Sequence, residues 1–271
     1  MKNKRLITLL SIVAITAAVL WAQRRPGLPP SVDRRGVPNW ELDNEMPRDV
    51  FTFVRIRYSS SYGRRGGGWR TDYPDADLNF SYRLQELTSL KVHPEGIILE
   101  LTDPKLFDYP FIYIIEPGAL QFSNEEVVAL RKYLLNGGFL MVDDFWGGDE
   151  YENFAREMKR VFPDQAPKEL PLEHPIFHCV FDLKEKPQLP SIGQAMNGQD
   201  FEWRPGADDG SEVHYKGFFD DKDRMMAIIC HNTDLGDGWE REGENQYYFK
   251  TYSEPKAYPM GINIVFYALT H

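Results

Sequence analysis

Residues 111–148 read FIYIIEPGALQFSNEEVVALRKYLLNGGFLMVDDFWGG, and this stretch decides the fold. Phe111 to Ile115 is apolar without alternation, as suits a strand covered on both faces. Ser123 with Glu126 three residues on forms a capping box that opens a helix at Asn124. Val127, Leu130 and Leu134, with Val128 and Leu135 beside them, give that helix an apolar face. Gly137-Gly138 ends it, because glycine takes the left-handed cap conformation easily. Phe139 to Val142 is the next buried strand, and a right-handed crossover makes the two strands parallel. Asp143 and Asp144 then leave the sheet at its carboxyl edge, where open α/β sheets place ligands.

Outward from this unit the alternation continues. Phe51 to Tyr58 reads as a first strand, and Asp75 or Asp77 caps a helix carrying Leu78, Phe80, Leu84, Leu87 and Leu90. Ile97 to Leu101 is a second strand, and Glu150 to Phe162 a third helix. The order β-α-β-β-α-β-α predicts an α/β domain in three layers, with helices on both faces of a mostly parallel sheet. Beyond Phe162 proline recurs and the pattern loosens. Ile176 to Leu183 and Met225 to His231 read as strands, Leu183 to Tyr215 as irregular, and Gly261 to Leu269 as a closing helix.

The first 22 residues read as a targeting segment. Lys2, Lys4 and Arg5 precede an uncharged run of about 17 residues, Leu6 to Ala22, which suits a signal peptide or an N-terminal anchor helix. Either leaves the remainder exported, with the membrane as a partner through this segment. Residues 23–49 read as a proline- and arginine-rich linker, and residues 50–271 as one domain with enough apolar chain for a core. The formal charge is −10, and removing the three basic residues of the targeting segment leaves −13, which argues against nucleic-acid binding. Cys179 and Cys230 either pair in an oxidising compartment or remain buried free thiols.

Five separated motifs occur in order: RIRY (55–58), WRTDYPDADLNF (69–80), NGGFLMVDDFWG (136–147), LPLEHPIFH (170–178) and HNTDLGDGWE (231–240). Together they resemble the bacterial domain-of-unknown-function 4159 family. The resemblance implies a flavodoxin-like fold of the class I glutamine-amidotransferase type, export or membrane anchoring, and no established activity. Enzymes of that type carry a nucleophile on a glycine-flanked elbow. Neither GxCxG nor GxSxG occurs here, so inherited amidotransferase activity is not expected.

Arg57, Trp69 and Asp72 in the first motifs are ligand-binding candidates, as are Asp143, Asp144 and Trp146 at the strand end. Paired carboxylates there hold a metal or act as acid and base, or else cap the following turn. His174 and His178 flank Pro175, which argues for a turn; with Asp144 they are the candidate metal ligands. Asn232, Asp234, Asp237 and Glu240 suit either a turn or oxygen ligation, with a turn favoured. Arg64, Arg65 and Arg70 around Gly66 to Gly68 make a solvated loop or an anion site. Trp69, Tyr73, Trp146, Trp203 and Trp239 make a platform for a sugar or peptide, or close the top of the core. The leading expectation is a non-catalytic binding or scaffolding module of the cell envelope with a protein or carbohydrate partner and no cofactor. The rival is a divalent-metal hydrolase of a carbohydrate or peptidic envelope substrate.

Overall fold

The computed structural model describes residues 34–42, 49–61, 68–203 and 210–271. The segment read as a targeting signal or anchor, most of the stretch read as a linker and the centre of the arginine–glycine loop lie outside the described residues. Among those described, no helix is long and apolar enough to cross a membrane. Residues 35–271 cluster as one compact unit.

In chain order the elements are β1 (Val54–Ile56), β2 (Ser59–Ser60), α1 (Asp75–Leu87), β3 (Ile97–Leu99), β4 (Phe111–Ile115), β5 (Leu120–Gln121), α2 (Asn124–Leu135), β6 (Phe139–Asp143) and α3 (Gly147–Val161). Then come β7 (Lys168–Glu169), α4 (Ile192–Met196), β8 (His214–Phe219), β9 (Met225–His231), α5 (Leu235–Glu240), α6 (Gln246–Tyr248) and α7 (Tyr258–Thr270). The main sheet runs β3-β1-β4-β6-β9-β8-β7. Its first five strands are mutually parallel, with Phe111 opposite Phe139 and Val142 opposite Ile229. β8 and β7 extend it antiparallel. Numbered by appearance, the parallel strands stand second, first, third, fourth, fifth, so the order reverses between β1 and β4.

Each face of the sheet has its own core. Phe53, Phe111, Tyr113, Phe139, Met141 and Ile228 pack with α1 and α7. Val54, Ile56, Ile112, Ile114, Val142 and Ile229 pack with α2 and α3. Adjacent strand residues alternate between the two, because successive side chains point to opposite faces. The capping box on α2 is complete: Ser123 N–H donates to Glu126 Oε2 at 2.7 Å, and Glu126 N–H to Ser123 Oγ at 3.1 Å. Gly137 ends that helix at φ 102°, a conformation that favours glycine.

Several expectations are corrected. Val128 and Leu135 are 61% and 53% exposed; α2 instead buries Tyr133 beside Val127, Leu130 and Leu134. Neither Asp75 nor Asp77 caps α1, because the Asp77 carboxylate is drawn to Arg55. Residues 176–183 form a short 3-10 turn at Pro175–Phe177 and then irregular chain, since Pro175 fixes the turn and Asn263 Oδ1 accepts the N–H groups of Val180 and Phe181. Cys179 is therefore exposed and Cys230 buried in β9, and both are free. β8 emerges from chain with mixed polarity because β9 supplies its partner. The closing helix begins well before Gly261: residues 246–270 are helical throughout, with a widened π-helical stretch over Phe249–Ala257 that contains Pro255.

Candidate functional site

Buried carboxylates gather at the carboxyl edge of the parallel strands. Three strands end in the same way. Glu116, Asp144 and Asn232 directly follow β4, β6 and β9, and all three have positive φ, at 48°, 55° and 60°. Non-glycine residues adopt this region at a cost, and such positions cluster at functional edges. Asp72, in the turn before α1, is a fourth at φ 62°.

Arg55 holds that turn in place. It lies in β1, fully buried, with Nε 3.1 Å from both Asp77 carboxylate oxygens and Nη1 donating to the carbonyls of Trp69 and Thr71. Burial alone would lower its pKa; the Asp77 charge and hydrogen bond overcome this and raise it. The guanidinium also lies 5.2 Å from the Tyr113 ring centre.

Asp143 ties β4 and β6 to α5, and Asp234 caps that helix. Asp143 Oδ2 accepts from Gly236 N–H at 2.9 Å and from the Tyr113 hydroxyl at 3.2 Å, while Oδ1 is buried without a donor. Burial pushes this carboxyl up to about 7, against the lowering effect of those hydrogen bonds. Asp234 caps α5 by accepting from Asp237 N–H at 2.7 Å. Its own pKa is raised by burial and then by Asp144, Asp237, Asp72 and Asp143. The packing of α5 on α1, where Asn79 Nδ2 donates to Trp239 O at 2.8 Å, brings Asp237 and Glu240 to the Asp72 turn.

Asp72, Asp237 and Glu240 each place a carboxylate oxygen within 4.8 Å of the others, the one such grouping of three ligand-type side chains among the described residues. Asp72 Oδ2 is buried without a hydrogen-bond donor. Burial raises the pKa of Asp72, and Asp237 and Glu240 raise it further. Glu240 is pushed up to about 7 by burial and Asp237, with Arg241 opposing. Asp237 is held by Ile192 N–H at 2.6 Å and by Arg241 Nε at 3.0 Å. Gly236 is required here, since a Cβ would fall 2.6 Å from Asp72 Oδ2 and 3.0 Å from the Tyr113 hydroxyl.

The other predicted residues divide. Asp144 Oδ1 accepts from the buried Trp146 indole at 3.1 Å, so this tryptophan closes the core. Trp239, also buried, does the same against Phe80, whereas Trp203 is exposed. Asn232, just after β9, ties it to the start of α3 and to the chain entering β8: its Oδ1 accepts from Gly147 N–H at 2.8 Å and its Nδ2 donates to Glu212 O at 2.7 Å. Trp69 is partly buried in the anchored turn. Arg57 is exposed and pairs with Glu100 at 2.7 Å. His174 and His178 do not join the acidic edge. His174 caps its own turn and lies 5.4 Å from Tyr267, at the end of the sheet where β6 begins. His178 has one ring nitrogen 2.7 Å from Asp182 and the other 2.7 Å from Leu172 O. The grouping of Asp144 with these histidines is therefore not assembled. In the sequence Arg55 carries no mark of a site residue, and Asp237 and Glu240 suit a turn more than oxygen ligation; their i, i+3 spacing becomes informative once residues 235–240 are helical.

Fold and site together define an α/β protein with a central, mostly parallel sheet and an acidic edge at its strand ends. The profile of the family described as Domain of unknown function (DUF4159) matches residues 52–269, and the chain belongs to that family. No curated protein matches it.

Proposed function

We propose that the chain is a non-catalytic binding or scaffolding module of the bacterial cell envelope, exported and held at the outer face of the membrane by its N-terminal segment. Its parallel strands follow the 2-1-3-4-5 order of flavodoxin-like, three-layer folds. That order supports a glutamine-amidotransferase-like ancestry from which the nucleophile has been lost.

One observation carries this reading. The left-handed positions directly after β4, β6 and β9, where an elbow would present a nucleophile, hold Glu116, Asp144 and Asn232. Cys230 lies inside β9, where burial raises its pKa and keeps the thiol protonated, and Cys179 is raised the same way in an exposed turn. The acidic edge then serves recognition of an envelope protein or carbohydrate.

The test compares binding with turnover in the purified full-length chain. Co-sedimentation with isolated cell-wall glycan and with envelope membranes should fall at least severalfold in Asp144→Asn. Amide, ester and glycoside substrates of the wall should show no turnover that depends on this residue. Hydrolysis that copurifies with the wild type and vanishes in Asp144→Asn overturns the reading.

A further inference from the structure

We propose that Asp72, Asp237 and Glu240 form a site for a hard divalent cation, one that neither the family assignment nor the binding-module reading supplies. The inference stands whether or not the chain proves to be a catalyst.

The geometry comes first. The three oxygens lie within 4.8 Å of one another, a spread that a cation bonded to each at about 2.0–2.6 Å spans. Their carriers are fixed before any ion arrives. The Asp72 turn is pinned by Arg55 through the carbonyls of Trp69 and Thr71. Asp237 and Glu240 stand one turn apart on α5, whose first turn is capped by Asp234.

A second observation points the same way: one member of the cluster and a neighbouring carboxylate keep unmet acceptors. Two buried carboxylate oxygens, Asp72 Oδ2 and Asp143 Oδ1, have no hydrogen-bond donor. Asp143 has no solvent exposure at all. Both carboxylates press on Gly236: Asp143 Oδ2 accepts its N–H, and Asp72 Oδ2 occupies the space a Cβ would need. Buried acceptors in folded chains almost always meet a donor or an ion. Here the nearby guanidiniums meet only part of the demand, because Arg55 is already paired with Asp77. Arg241 contacts Asp237 Oδ1 at 3.0 Å and Glu240 Oε2 at 2.7 Å from the outer side, where it is about a third exposed. One guanidinium against three carboxylates leaves an excess of negative charge that a divalent ion balances.

The chemistry of the donors selects the ion. All three are carboxylates, with neither sulfur nor imidazole among them, so magnesium, manganese or calcium suits the site better than the softer metals. Asp72 and Glu240 are only partly buried, which leaves room for water to complete the coordination shell.

The experiment is a manganese titration of the full-length chain after stripping with a chelator, read by loss of the free-ion electron-paramagnetic signal. The wild type should take up one ion that calcium or magnesium displaces. Asp72→Asn and Glu240→Gln should each weaken uptake at least tenfold, while Asp182→Asn, on an exposed loop carboxylate, leaves it unchanged. A melting curve guards against misfolding. Asp72→Asn removes charge repulsion without changing shape, so its metal-free Tm should equal or exceed that of the wild type while the manganese-induced rise disappears. Absence of stoichiometric uptake by the wild type, or wild-type affinity in both variants, overturns the site.

Discussion

Asp77 and Asp72 are five residues apart, yet they live in opposite electrostatic settings. Asp77 is buried against a buried arginine that grips both of its oxygens. Asp72 faces Asp237 and Glu240, and its buried oxygen has no donor. The first arrangement is complete in itself. The charges cancel, the hydrogen bonds are made, and the pair fixes the turn that carries Trp69 to Asp72. The second is incomplete, because like charges crowd in a place where water cannot screen them well. Completed charge builds the edge, whereas uncompensated charge is what the edge offers to something else.

Breaking the completed pair should have the largest effect. Arg55→Met leaves Asp77 buried without its partner and frees the carbonyls of Trp69 and Thr71. A loss of about 3–5 kcal/mol in urea unfolding is expected. A loss below about 1 kcal/mol would mean that the pair does not hold the turn. Pressing on the crowded side comes next. Gly236→Ala pushes a methyl group against Asp72 and Tyr113, and should cost about 1–3 kcal/mol by the same measurement. A neutral result would move Asp72 away from Gly236 and dissolve the contrast.

The exposed counterpart sharpens the comparison from below. Arg57 and Glu100 are also an arginine–carboxylate pair, but each is about half exposed. Arg57→Ala should change stability by only about 0.2–1 kcal/mol, and less in high salt. The smallest effect is expected at the opposite edge. His174 is held below the ordinary imidazole value of 6.5, by burial first and by His271 second. The unfolded chain then takes up a proton that the folded chain refuses. The contribution of His174 is complete above about pH 6.5 and declines as the pH falls through its depressed folded value. His174→Asn retains a capping acceptor and removes the titration, so unfolding curves at about pH 8 and about pH 5 should differ less than in the wild type.

The first half of the chain was legible because its signals are local. β4, α2 and β6 fall where an apolar run, a capping box and a glycine pair place them. The second half hid its structure behind non-local causes. β8 carries His214, Lys216 and Gly217 and becomes a strand only because β9 offers hydrogen bonds. The helical residues 246–257 were obscured by Pro255, which the widened π-helical turns accommodate. Asp143, Asp144 and Asp234 are legible as candidates from their place at or after strand ends. Asp237 and Glu240 needed α5 to exist before their spacing had meaning. The two histidines read as candidate ligands or, for His174, more readily as a turn residue; His174 caps its own turn and His178 bonds Asp182 and Leu172 O.

By itself, then, the sequence determined the alternation of strand and helix, the parallel sense of the central strands and the acidity of their carboxyl ends. Each follows from periodicity, caps and chain connectivity within a few tens of residues. Only the tertiary structure decided which charges cancel and which remain. That outcome depends on α1 and α5 packing together across some 160 residues of chain. The contact brings Asp72 to Asp237 and Glu240, while Arg55 is already committed to Asp77. Charge can be counted along a chain, but its compensation is a matter of distance and burial.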